Sequence, residues 1–477
     1  MPVDYSVSLV LPALILGAGA LALLMVGAFR GEKSAELVTG LAVAVIAFAL
    51  LAVCYAHKGD TLQGYDGAVV QDAFGRFMQA LALIGSLATL VMAIPFLRRE
   101  GIHKFEFPIL ILLSTMGMLV LISAGNLITL YLGFELMSLA LYVIAAFHRD
   151  DVRASEAGLK YFVLGALSSG LLLYGASLIY GFAGTVSFRG IAQALVGHQS
   201  IGVVFGLVFL SAGLAFKMST VPFHMWTPDV YEGAPTPVTA FFATAPKMAA
   251  VAVAVRVMIT AFPGIEIQWQ QIIIFISICS MLLGSFAAIG QTNFKRLMAY
   301  SAIGNMGFAL TGLAAGTEKG VYGVLIYMAA YLVMTLGTFA AILAMQRKGK
   351  AVESVEDLAG LSQTHPAMAF FLAMIMFSLA GVPPLAGFFA KFYVFQAAIQ
   401  ANLYALAVIG VLASVVAAFY YLRIVKMMYF DAPAEAFDRP EASVRAVLAI
   451  AGLVMLLIVV YPAPVVEAAT AAAHSLF

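Results

Sequence analysis

The chain has 477 residues, of which 63% are hydrophobic and 10% charged, with a formal net charge of +1. No soluble domain of this size carries that balance, so the sequence reads as an all-α polytopic membrane protein, and neither its net charge nor any basic run points to nucleic acid. Cys54 and Cys279 both lie in apolar stretches, which argues against disulfide, iron–sulfur or thiolate-metal chemistry in this chain and places any redox step elsewhere.

The N-terminal stretch MPVDYSVS lacks a basic n-region and leads into an apolar run too long for a signal peptide, so it opens the first span. Windows of about 20 apolar residues, each enough to cross a hydrocarbon core of roughly 30 Å, recur along the chain. About fourteen can be marked, at 7–29, 36–56, 74–97, 107–124, 126–147, 156–184, 201–221, 237–262, 270–290, 297–315, 319–345, 366–400 with an interruption, 402–430 and 442–462. The first three form an N-terminal segment, residues 1–106. Within span one, the run Gly17-Ala18-Gly19 imitates a dinucleotide fingerprint, but no strand precedes it and close helix packing explains it better. Only Ala124, Gly125 and Asn126 separate spans four and five.

Polar groups inside the later spans narrow the search, because an ionisable side chain at bilayer depth costs roughly 3 kcal/mol and persists where it faces a cavity, a partner or a conduction path. Glu135 is the carboxylate near the middle of span five, with a neutral structural acid as the alternative. Lys160 lies about a turn inside span six, where snorkelling to the interface is an equal reading. Span seven carries Lys217 and ends at Val221-Pro222, where proline removes a backbone donor and breaks the helix. His224 follows the break and has an imidazole suited to relaying protons, or to a structural hydrogen bond. Lys247 follows Pro246 about ten residues into span eight, and Arg256 lies further out on that span as a snorkelling anchor. Span twelve contains SLAGVPPLAGFFAK, with Pro383 and Pro384 ahead of Lys391. Glu135 and Lys217 form a natural pair, since burial disfavours both charges and proximity favours them. His57, His103, His148 and His365 fall in loops or span ends.

Breaks at comparable places in spans seven and twelve predict two five-helix repeats, spans four to eight and nine to thirteen, inverted because five is odd. The first covers 107–262, the second 263–430, and a C-terminal helix occupies 431–477. Loops after odd-numbered spans hold sixteen lysines and arginines, whereas the opposite side holds only Lys58, Arg76, Arg189 and Lys319. That asymmetry makes the first set cytoplasmic and puts both termini outside.

The segments FELMSL at 134–139, VPFHMWTPDVYEGAPTPV at 221–238, NFKRLMAYSAIGNMGF at 293–308 and AGVPPLAGFFAKF at 380–392 resemble the antiporter-like subunits of respiratory complex I, the NADH:quinone oxidoreductase. Those subunits are similar in turn to the large subunits of multisubunit cation/proton antiporters. PDVYEGAP, a lysine at 391 and an end at Phe477 without a long lateral helix look like the N-type subunit. The resemblance implies that Glu135, Lys217, Lys247 and Lys391 carry proton translocation, with Lys160 and His224 at polar-axis positions. On this reading Glu135 modulates Lys217, protons pass by His224 and water to Lys247, and Lys391 gates the far side. It implies a bacterial inner-membrane protein beside further antiporter-like subunits and a peripheral redox arm, with NAD, FMN, iron–sulfur clusters and quinone handled by other subunits. A sodium/proton antiporter subunit and a structural spacer are the competing readings.

Overall fold

The computed structural model describes residues 7–55, 61–196 and 200–477; His57 and Lys58 lie outside these. The described residues are helical almost throughout. The N-terminal helices α1 (Val7–Arg30), α2 (Ala35–Tyr55) and α3 (Ala73–Arg99) are followed by α4 (Glu106–Ile122), α5 (Leu127–Ala145), α6 (Val152–Ala183), the short α7 (Phe188–Ala194) and α8 (Ile201–Met218). Then come α9 (Thr227–Gly233), α10 (Thr236–Ala243), α11 (Ala245–Ala261), α12 (Glu266–Ile289), α13 (Phe294–Ala314) and α14 (Glu318–Ala344). The chain closes with α15 (Leu361–Thr364), α16 (Pro366–Ala380), α17 (Ala386–Gln400), α18 (Tyr404–Phe430), α19 (Ala442–Val460) and α20 (Ala463–His474). Two small antiparallel hairpins, β1 (Leu62–Gly64) with β2 (Val69–Gln71) and β3 (Gln346–Arg347) with β4 (Lys350–Ala351), are the strands among the described residues.

Among the described residues, eleven helical stretches are long and apolar enough to cross a membrane, one of them α1 and α2 taken together, while α4 and α16 are apolar but shorter. The narrow seam between spans four and five is real. Asn126 caps α5 by accepting from the Thr129 N–H at 2.7 Å, and the intervening residues bond to the first hairpin, Val70 N–H to Ser123 O at 2.8 Å and Gly125 N–H to Ala68 O at 3.0 Å. This strand-like pairing satisfies backbone groups that so short a connection would otherwise leave open.

Small residues set the closest helix pairs. A Cβ on Gly117 of α4 would lie 2.3 Å from the Met137 nitrogen of α5, and one on Gly133 of α5 would lie 2.6 Å from the Leu121 nitrogen of α4. The pair α12 and α13 repeats this, with Gly284 2.5 Å from the Gly304 nitrogen and Gly307 2.8 Å from the Met281 nitrogen. Backbone approach of this kind is how helices associate where lipid removes the hydrophobic drive. The stretch Thr236–Ala261 is enclosed along its whole apolar window, and α13 and α14 nearly so, whereas α1, α2, α6, α18 and α19 expose large apolar side chains such as Phe48, Phe182, Phe419 and Leu457. The latter form the surface expected to face lipid.

Three helices are interrupted. α8 stops at Met218 and α16 at Ala380, each followed by a left-handed residue, Ser219 at φ +62° and Gly381 at φ +89°. The third break divides span eight, expected to be continuous, into α10 and α11 at Thr244, because Pro246 cannot donate to the α10 carbonyls. The C-terminal segment also holds two helices rather than one: Pro462 stops α19, and α20 turns back onto α3 and α14.

Arg256 is not a snorkelling anchor. α11 is surrounded by protein, so its guanidinium cannot reach an interface; it grips Asp72 through two bonds of 2.7 and 2.8 Å and donates from Nε to Ile122 O at 3.1 Å. Asp72 also caps α3 through the Gly75 N–H at 2.6 Å. One buried pair therefore ties the start of α3, the end of α4 and the C-terminal half of α11. Removing one partner of such a pair leaves an uncompensated buried charge, a loss of about 3–5 kcal/mol. Asp72→Ala and Arg256→Ala are expected to lower the thermal midpoint of the assembled, detergent-solubilised protein by several degrees, and the double variant by less than the sum of the two. Additive losses would mean that the two charges do not support each other.

Candidate functional site

The break after α8 gathers two of the expected lysines. Helix α8 delivers the Lys217 amine into an aromatic cage, 4.9 Å from the Tyr142 ring centroid, 5.1 Å from Tyr161, 5.2 Å from Phe134 and 5.8 Å from Phe216. Four rings from α5, α6 and α8 present their π faces to an amine that has no hydrogen-bond acceptor among the described protein atoms. Trp226 stacks on Tyr161 at 4.4 Å and donates from Nε1 to Phe216 O at 3.0 Å, so the cage is also bonded to the last turn of α8.

Lys247 approaches the same break from α11. Its fully buried amine donates to Met218 O at 3.0 Å and to the Ser219 hydroxyl at 2.9 Å. Lys391 occupies the second break in the same manner, donating to Leu379 O at 2.9 Å, Ala380 O at 3.2 Å and the Ser414 hydroxyl at 2.9 Å, with the Phe308 ring 4.9 Å away. The last carbonyls of a helix lack intrahelical partners and carry the negative end of its dipole, so they suit an ammonium group.

The other expected residues stand apart from this pattern. Glu135 lies on α5 beside the cage residue Phe134; one of its carboxylate oxygens is buried without a hydrogen-bond partner among the described protein atoms, and it makes no ion pair with Lys217. The two expected partners are thus not in contact, and four rings occupy the room around the amine. His224 is half-buried and bonds neither lysine amine. Lys160 is exposed at the mouth of α6, paired at 2.7 Å with both Glu156 and Asp229.

That last contact exposes a cluster that sequence reasoning missed. Asp229 joins Lys160 to Arg296 at 2.8 Å, and Arg296 also holds Glu232 at 3.0 Å, around a recess of about 260 Å³. The i, i+3 acids in PDVYEG were visible as a pattern, but their basic partners come from α6 and α13. A second missed feature is a buried network in the later half. Asn305 accepts from the Tyr327 hydroxyl at 2.7 Å and donates to Ser301 O at 2.8 Å, and Ser301 meets the Tyr421 hydroxyl at 2.5 Å. An asparagine within an apolar span was its only signal.

Residues 124–417 match the family described as NADH:quinone oxidoreductase/Mrp antiporter, transmembrane. A protein named NADH-quinone oxidoreductase subunit N in Beijerinckia indica is 71% identical over 98% of each chain, and one of the same name in Methylobacterium nodulans is 63% identical over 98% of this chain and 97% of its own. Among solved structures, a chain of respiratory complex I from Thermus thermophilus superposes with a TM-score of 0.83 at 31% identity, covering 96% of this chain and 99% of that one. A chain of the Mrp complex from Dietzia reaches 0.87 at 23% identity, covering 98% and 97%, and this likeness carries the fold alone. With its broken helices, its buried lysines and these relatives, the chain belongs to the antiporter-like membrane subunits of NADH:quinone oxidoreductase, in the subunit N line.

Proposed function

We propose that this chain moves protons through the membrane part of NADH:quinone oxidoreductase along Glu135, Lys217, Lys247 and Lys391. The observation that carries this reading is the pair of lysine amines, Lys247 and Lys391, each held on the open carbonyls of an interrupted helix inside an otherwise apolar bundle. Glu135 biases Lys217 through space, Lys247 receives and passes the proton at the first break, and Lys391 serves as the outlet at the second. Lys160 works within the Asp229 cluster rather than along the buried chain, and His224 lines the path only through intervening water.

The same reading assigns about fourteen spans, with α4 to α11 and α12 to α18 as inverted repeats. The glycine contacts that open both halves, α4 with α5 and α12 with α13, favour it. The first three helices precede these repeats, and α19 with α20 follow them. The basic-rich loops face the cytoplasm and both termini the outer side of a bacterial inner membrane. NADH, FMN, iron–sulfur clusters and quinone are handled by other subunits, reached through neighbouring antiporter-like subunits and a peripheral arm.

Arginine keeps a positive charge but does not release its proton in proteins. Lys247→Arg is therefore expected to lower proton uptake by vesicles containing the assembled complex nearly as far as Lys247→Ala, roughly tenfold or more, a barrier increase of about 1.4 kcal/mol or above. Near-normal uptake in Lys247→Arg would reduce Lys247 to a fixed charge. For Glu135, a carboxylate that acts at a distance tolerates a shorter stem, so Glu135→Asp should keep at least about a third of the pumping rate while Glu135→Gln loses most of it. Equal losses would make Glu135 a structural residue.

A further inference from the structure

We propose that Ser219 and Ser414 are positioning residues whose hydroxyls hold the proton-carrying amines of Lys247 and Lys391 against the ends of α8 and α16. This rests on the proton-path reading above and adds residues to it.

The backbone acceptors at the end of each interrupted helix point to these contacts. At the end of α8, Ser219 N–H donates to Phe216 O at 3.0 Å and Thr220 N–H to Ala215 O at 2.9 Å. Met218 O is left for Lys247, at 3.0 Å. At the end of α16, Gly381 N–H and Val382 N–H take Phe377 O at 3.1 and 3.0 Å. Leu379 O and Ala380 O are left for Lys391, at 2.9 and 3.2 Å. In both halves one hydroxyl completes the cradle, at 2.9 Å.

The hydroxyls come from different places, and the backbone explains why. The left-handed position after a helix favours glycine, because a Cβ there is strained. The second break follows that preference with Gly381, where a Cβ would press on Lys391 at 3.2 Å from Cδ and 3.4 Å from Nζ. Its hydroxyl is supplied by Ser414 on α18. The first break keeps a serine at φ +62° and so retains the strain. Its side chain is the one that meets Lys247. A residue that keeps an unfavourable backbone while making a specific buried contact is placed for that contact.

Chemistry gives the hydroxyl a task that carbonyls cannot perform. A carbonyl only accepts, which suits the protonated amine. A hydroxyl accepts from the ammonium and can rotate to donate to the lone pair of the neutral amine. The neutral amine still donates to the carbonyl, and the hydroxyl satisfies the lone pair that no carbonyl can, so the lysine keeps its place on the break for the next proton.

The test uses the assembled, membrane-embedded complex. Ser219→Gly removes the hydroxyl and relieves the backbone together, so a purely structural serine predicts equal or better assembly and pumping. Positioning predicts normal assembly, unchanged NADH oxidation by an artificial acceptor, and proton uptake lowered about fivefold or more, as expected for losing a hydrogen bond to a charged group. Ser414→Ala should show the same loss, and Ser414→Thr, which keeps the hydroxyl on an unstrained helix, should recover at least half of the rate. Normal pumping in Ser219→Gly and Ser414→Ala overturns the assignment, as does failure of Ser219→Gly to assemble, which would give the hydroxyl to folding. Lys247→Ala is measured alongside. If it pumps normally, the proton-path reading itself falls; if it is inactive while both serine variants are normal, only the positioning of the amines falls.

Discussion

A backbone carbonyl that loses its helical partner at membrane depth must find another donor, because neither lipid nor a distant solvent supplies one. The interruptions of α8 and α16 release such carbonyls, and buried lysine amines answer them. This reciprocity explains two costs at once. A lysine in an apolar bundle is expensive, and so is an orphaned helix end, but each satisfies the other. The third break, at Thr244, places Lys247 one turn into α11, from where its side chain reaches across to Met218 and Ser219. The interruptions are therefore the framework on which the polar chain is built.

Lys217 is held by different physics. Four aromatic faces surround its amine at 4.9–5.8 Å, an environment that tolerates a cation through the ring quadrupoles without fixing it by directed bonds. Lys247 is fixed by a carbonyl and a hydroxyl instead. Two amines at one break thus differ in how tightly geometry holds them.

Most of the framework was legible in the sequence. Hydropathy windows place the long helices to within a few residues, and the prolines at 222, 383 and 384 mark the two major breaks. The intramembrane lysines stand out because of their cost, and Lys217, Lys247 and Lys391 are all enclosed as that cost requires. What the sequence hid depends on neighbours rather than on periodicity. Arg256 looked like an anchor because a span considered alone has lipid on every side, whereas α11 is wrapped by protein and meets Asp72, 184 residues away. Glu135 and Lys217 were paired by burial and charge, but nothing in the sequence reveals that Phe134, Tyr142 and Tyr161 converge on the Lys217 amine. The second cradle drew its hydroxyl from α18, a pairing that no local pattern encodes.

Helix α13 joins these parts. At one end Arg296 grips Asp229 and Glu232 beside the α9 turn, and the neighbouring Lys295 reaches back to Ala234 O at 3.1 Å. Further along, Ser301 and Asn305 form the hub with Tyr327 and Tyr421, and one turn later Phe308 lies under the Lys391 amine. Positions 301, 305 and 308 share one face by helical spacing. The turn that follows the first break is thus bonded to one end of a rigid, enclosed helix whose other contacts reach the second break. A close-packed interior transmits displacement rather than absorbing it. The Asp229 cluster and the Phe308 floor under Lys391 are thus carried by one helix.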